Sequence, residues 1–228
     1  MRIIIFLILV LVIVFGPQLW TRRVFRKHST SRQDLERTGG EFARHLLDLM
    51  SMNHVQVETT PIGDHYDPLT KTVRLMPDNY AKKSLTAMTI AAHEIGHAIQ
   101  DQSEYPPLKQ RTRLIGVAQG AEKLGAGIMM GIPIVAMITQ TPSAGLIVLY
   151  AGILTMGIST LVHLITLPVE WDASFSRALP ILQRGGYLSK QDMQDAHQIL
   201  TAAAFTYVAA SLASLLNLWR WIMLLLRR

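Results

Sequence analysis

Two histidines stand four residues apart in "AAHEIGHAIQ" (Ala91 to Gln100), with a glutamate directly after the first. On an α-helix, residues i and i+4 share a face. His93 and His97 can therefore aim imidazole nitrogens at one point, a spacing suited to two ligands of tetrahedral Zn2+. Glu94 lies about 100° further round the helix. From there it can reach a water on the ion, whose pKa zinc lowers to about 7, take its proton and deliver hydroxide to a carbonyl carbon. The pattern is short, and two hydrogen-bonded histidines in a half-buried helix would read the same. The small residues Ala91, Ala92, Gly96 and Ala98 favour the metal, because they let other elements and a substrate come close.

Catalytic zinc takes a third protein ligand and keeps a fourth position open. The chain has no cysteine, so disulfides, thiolate chemistry and iron-sulfur clusters are excluded, and the remaining ligand must be a histidine or a carboxylate. Glu170 stands out because it opens a helical, polar stretch directly after an apolar block. A carboxylate complementing a helix N-terminus is the alternative. One Zn2+ per chain is expected, although two imidazoles and a carboxylate also suit cobalt or manganese.

The elements that must position these residues are mostly apolar. Of 228 residues, 50% are hydrophobic and 17% charged, with a net charge of +6. The basic residues crowd beside apolar blocks, which points to a membrane surface rather than nucleic acid. The expected fold is a mainly α integral membrane protein with about four transmembrane helices, carrying a small α+β zincin-like catalytic domain on one membrane face. The blocks read as spans are 3–19, an uncleaved anchor, then 114–138, 144–167 and 200–226. Residues 22–113 form the first catalytic part and 168–198 the second. With four spans, the two polar parts emerge on the same side of the membrane. Within the first part, Ser31 to Met50 has helical spacing, and "HVQVETTP" and "KTVRLMP" alternate like strands around a turn-rich "IGDHYDPLT". The motif helix should start near Ser84 and stop before Pro106 and Pro107.

Over nearly its whole length the chain resembles the YugP-like neutral zinc metallopeptidases, membrane enzymes of bacteria. The landmarks are "DHYDP", "KTVRL", "AAHEIGHAIQ", "YPPLKQR", "LPVEWDAS" and "TYVAASLASL", in that order. The resemblance implies that His93, His97 and Glu170 are ligands and Glu94 the base. More distantly the arrangement is similar to HtpX-type and prenyl-protein-processing peptidases, whose second motif reads Glu, two variable residues, Ala, Asp. Here Ser174 stands at the Asp position, which leaves Ser174, Asp172 or neither as the group that orients His93.

Weaker candidates complete the set. "TVRLMP" would serve as an edge strand for an extended peptide, or as an ordinary sheet edge. His65, Tyr66 and His197 would donate to an oxyanion or be structural, and Arg177 would pair with an acidic neighbour or be solvated. Arg22, Arg23, Arg26, Lys27, Arg32 and Arg37 after the first block put the catalytic side in the cytoplasm, at the cell membrane of a bacterium. The expected activity is hydrolysis of a peptide or membrane-protein substrate at the lipid bilayer. A catalytically silent metal-binding scaffold in a membrane assembly is the alternative, and a transporter with a chance motif is a third reading.

Overall fold

The computed structural model describes residues 2–120 and 143–226. It is mostly helical, with one small sheet. Helix α1 (Arg2–His28) leads into α2 (Gly39–Leu49). Strands β1 (Gln56–Thr59), β2 (His65–Asp67) and β3 (Thr72–Leu75) follow, then the short α3 (Pro77–Ala81) and the motif helix α4 (Leu85–Gln102). Residues 106–120 are helical and form α5. Helix α6 (Ser143–Trp171) runs without a break into a π-helical turn (Asp172–Ala178), then α7 (Leu179–Arg184) and α8 (Lys190–Leu226).

Local chemistry explains the boundaries. α2 begins later than its apolar spacing suggests, because Thr38 and Glu41 form a reciprocal capping box that satisfies two of the helix's unpaired N–H groups. α4 begins at the expected cap, where the Ser84 hydroxyl accepts from the Ala87 N–H at 3.1 Å, and it ends before Pro106. "DHYDP" is more than a turn: its His65–Asp67 segment pairs antiparallel with β3, Tyr66 opposite Val73.

The sheet order is β1-β3-β2, with β1 parallel to β3. This corrects the reading of "TVRLMP" as an edge strand. β3 has a neighbour on each side and no free ladder to offer a peptide. Its residues Thr72, Val73 and Leu75 are buried, as the centre of a sheet requires. Leu75 joins Phe42, Leu46, Leu85, Ile95 and Leu182 in a core that welds α2, the sheet, α4 and α7 together.

The four-span architecture is also corrected. Among the described residues one helical segment, Lys190–Leu216 within α8, is long and apolar enough to cross a membrane. Most of the expected second span, residues 121–138, lies outside the described residues. Apolar runs of this length also serve helices that pack on one another, and α1 and α6 both pack along α8. Polar contacts stitch the same seams. The Thr21 hydroxyl donates to the Ala202 carbonyl of α8 at 2.6 Å, Thr160 and Ser214 share a hydrogen bond of 2.7 Å, and Ser211 donates to the His163 carbonyl at 3.1 Å. Hydropathy alone does not separate such a bundle from four lipid-facing spans.

Candidate metal centre

α4 packs on the π-helical turn. Gly96 makes that approach possible, since a Cβ there would lie 2.6 Å from the Ala173 carbonyl oxygen, closer than any side chain tolerates. The contact sets Glu170, at the end of α6, over the histidine face of α4. Glu170 Oε2 lies 3.2 Å from His93 Nε2 and 3.4 Å from His97 Nε2. The three potential ligand atoms lie within 4.8 Å of one another. Glu170 is 2% exposed. Burial opposes its charge, but the two imidazoles outweigh that and hold its carboxyl well below the usual carboxylate range.

Both rings are anchored through their far nitrogens. His93 Nδ1 shares a hydrogen bond of 3.1 Å with the Ser174 hydroxyl, and His97 Nδ1 one of 2.9 Å with Gln100 Oε1. Gln100 is itself fully buried; its amide nitrogen donates at 2.8 Å to both the Val169 carbonyl and Asp172 Oδ2. Arg177 Nε donates to the same Asp172 oxygen at 2.7 Å. The two possible partners of His93 thus part company. Ser174 touches His93, and Asp172 acts on His97 through Gln100, with Arg177 holding it in place. Partners of this kind fix the tautomer and aim of an imidazole. A π-helical turn, a rare element that is frequent at functional sites, carries Ser174, Asp172 and Arg177 together.

Glu94 points elsewhere, into a pocket of about 180 Å³ that it lines with His93, Asp64, Thr21, Phe25 and Tyr207. Burial pushes its carboxyl up to about 7, a rise His93 opposes and Glu170 and Asp64 reinforce. A carboxyl poised there suits proton transfer near neutral pH.

The remaining candidates do not join this group. The Tyr66 hydroxyl donates to Asp101 Oδ2 at 2.6 Å, near the far end of α4. His65 Nδ1 contacts the Gly63 carbonyl at 2.8 Å. His197 lies against the Phe175 ring, 5.5 Å between centroids, and beside Thr201.

Three contributors escaped the sequence reading. Gln100 was detectable, since it follows His97 by three residues on one helix face. Tyr207 lines the pocket from α8, 37 positions after Glu170, and no local pattern links the two. Arg111 of α5 brings Nη1 to 3.5 Å from Glu170 Oε1; "YPPLKQR" marks it only as part of a longer landmark.

A family model described as "Putative neutral zinc metallopeptidase" matches residues 3–226. The chain belongs to that family. This zinc metallopeptidase relative is 36% identical over 214 residues to a Bacillus subtilis (strain 168) protein named "Putative membrane protease YugP", covering 93% of this chain and 91% of that one. No solved structure matches it. Family membership supports zinc as the metal, and His93, His97 and Glu170 lie close enough together to hold one.

Proposed function

We propose that this chain is a membrane-bound zinc metalloendopeptidase in which His93, His97 and Glu170 hold the metal and Glu94 is the general base. One observation carries the reading: Nε2 of both histidines and one oxygen of Glu170 converge while the opposite ring nitrogens are occupied by Ser174 and Gln100. The donor set fits zinc, with two neutral imidazoles and one carboxylate leaving a fourth position for reaction. This is the ligand set of a gluzincin.

Bound there, zinc would supply Lewis-acid polarisation of a carbonyl and acidify water. The chain's own residues do the rest. Glu94 accepts the proton of the attacking water and passes it to the leaving amine, the usual shuttle of a positioned carboxylate. Ser174 and Gln100 keep the two imidazoles in one tautomer, and Asp172 and Arg177 brace Gln100. The apolar cover from Phe25, Ile199 and Leu200 limits bulk water around Glu94, which strengthens every charge interaction inside. A scaffold would have no use for an acid placed in a pocket beside the ligands. We place the site at the cytoplasmic face, on the strength of the basic run from Arg22 to Arg37. A reporter fused after Gln102 tests this, and an extracellular score would reverse it.

The decisive experiment pairs metal analysis with peptide cleavage for purified wild type and Glu94→Gln. The expected result is about one zinc per chain in both, with cleavage in the variant reduced by about 10²–10⁴-fold. Undiminished cleavage by Glu94→Gln would remove it from the base role.

A further inference from the structure

On that reading, we propose that the cavity between α1, α5, α6 and α8 is the substrate channel of the site, and that it admits an apolar peptide segment bearing a carboxylate, which Arg111 receives beside Glu170. The cavity measures about 610 Å³, within the range of about 300–1,000 Å³ usual for ligand clefts. Thr21, Phe25, Thr206 and Tyr207 line both it and the pocket that holds Glu94, so the two spaces adjoin across these four side chains. From the other side the ligands are closed in, since His97 and Glu170 are buried against the π-helical turn.

The cavity's lining selects by charge and by polarity. It includes Arg22, Arg111 and His163, and among its described lining residues there is no Asp or Glu. Phe25, Ile115 and Val162 give it an apolar wall, and α8, which contributes Thr206, Tyr207 and Ala210, is among the described residues the helix with a segment long and apolar enough to cross a membrane.

Arg111 supplies the specific feature. Its Nε is buried and makes no hydrogen bond, and its Nη1 stands 3.5 Å from Glu170 Oε1, beyond a good hydrogen bond. Glu170 turns its other oxygen to the two histidines. A guanidinium offers five donors in a fixed fork that fits a carboxylate in two-point contact, and here the fork is under-used. A buried donor of this kind calls for an acceptor, and an incoming carboxylate provides it. Because Arg111 adjoins a ligand of the metal, that carboxylate would lie within about two residues of the scissile bond, at roughly 3.3–3.6 Å per extended residue. An acidic side chain and a peptide's own C-terminus share this chemistry.

The absence of cysteine permits a test without background. Val162→Cys and Ala210→Cys are each introduced into the Glu94→Gln chain, and their reaction with a water-soluble maleimide is timed in detergent. Leu69→Cys, on an exposed turn, is the control. One apolar peptide is supplied in four forms, with Glu or Gln at its centre and with a free or amidated C-terminus. A carboxylate form is expected to shield the introduced thiols in the cavity, and not the control, at a concentration on the order of tenfold lower than the uncharged form, as a charge-assisted two-point contact gives. Arg111→Gln should erase that difference and Arg111→Lys restore part of it. The Glu and free-terminus arms show which carboxylate is read. Equal shielding by all four forms, shielding by none, or shielding only by a fatty acid or phosphatidylglycerol would each overturn the proposal. Failure of the peptidase reading would appear separately, as Val162→Cys or Ala210→Cys protein with Glu94 intact whose introduced thiol is shielded as expected but which holds no zinc.

Discussion

The two halves of the site are built on opposite plans. At the joint between α4 and the π-helical turn, His93, His97, Gln100, Ser174 and Asp172 all have hydrogen-bond partners, and a glycine lets the two backbones touch. Across the pocket, α1, α6 and α8 offer mostly hydroxylic or apolar side chains with Arg22 and His163 among them, and Arg111 keeps a donor unpaired. Holding an ion demands fixed atoms, because coordination tolerates little displacement. Receiving varied chain segments demands space and a few polar anchors. The contrast separates substitutions that remove metal from those that change only what is cleaved.

The largest effect should come at the joint. Glu170→Ala deletes one of the three proposed ligands, and elemental analysis of the purified variant should show zinc lost together with all hydrolysis. Wild-type zinc content there would break the ligand assignment. Next, Ser174→Ala and Gln100→Leu each free one imidazole, and titration against a chelator should show metal affinity about 10–100-fold weaker. Their effect should exceed that of any cavity substitution. Gly96→Ala pushes a methyl into the Ala173 carbonyl, and thermal or denaturant unfolding should register a loss of about 1–3 kcal/mol together with weaker zinc binding. On the cavity side, Val162→Trp should leave zinc content untouched while kcat/KM falls by about tenfold or more, since misplacing a substrate by about 1 Å already costs about 10²-fold. A loss of metal in that variant would erase the distinction between the halves.

The smallest effect lies in the sheet, away from both. Burial works to raise the Asp67 carboxyl, but hydrogen bonds from Arg74 and Thr70 outweigh it and hold it at about 2. A pKa lowered on folding adds stability that is complete above the unfolded value of about 3.9 and fades as pH falls toward about 2. Unfolding of wild type and Asp67→Asn should therefore differ at pH 6 and converge near pH 2, with zinc content at pH 7 equal in the two.

His93, Glu94 and His97 were legible as a group because one helix carries all three, and helical geometry converts the four-residue spacing of the histidines directly into a shared face, with Glu94 about 100° to one side. Ser84 as the start of that helix was legible for the same local reason. Glu170 was a candidate on position and on resemblance, but its approach to His93 and His97 rests on a backbone contact at Gly96 and Ala173 that no periodicity announces. The four-span expectation failed because an apolar block records only that a helix avoids water, not whether lipid or another helix covers it. The edge-strand reading failed because strand order depends on which segments meet, and "DHYDP" concealed β2 within turn-forming residues.

The sequence by itself determined the local chemistry: a histidine pair with an adjacent acid, the lack of thiols, the helix caps and the apolar blocks. Tertiary structure alone decided which carboxylate meets the histidines, that Ser174 and Gln100 orient them, and that Tyr207 and Arg111 face the same space from distant helices. Local rules act over a turn or a strand pair, whereas a site of this kind is closed by contacts between residues 70 or more positions apart, and only the packed core fixes those.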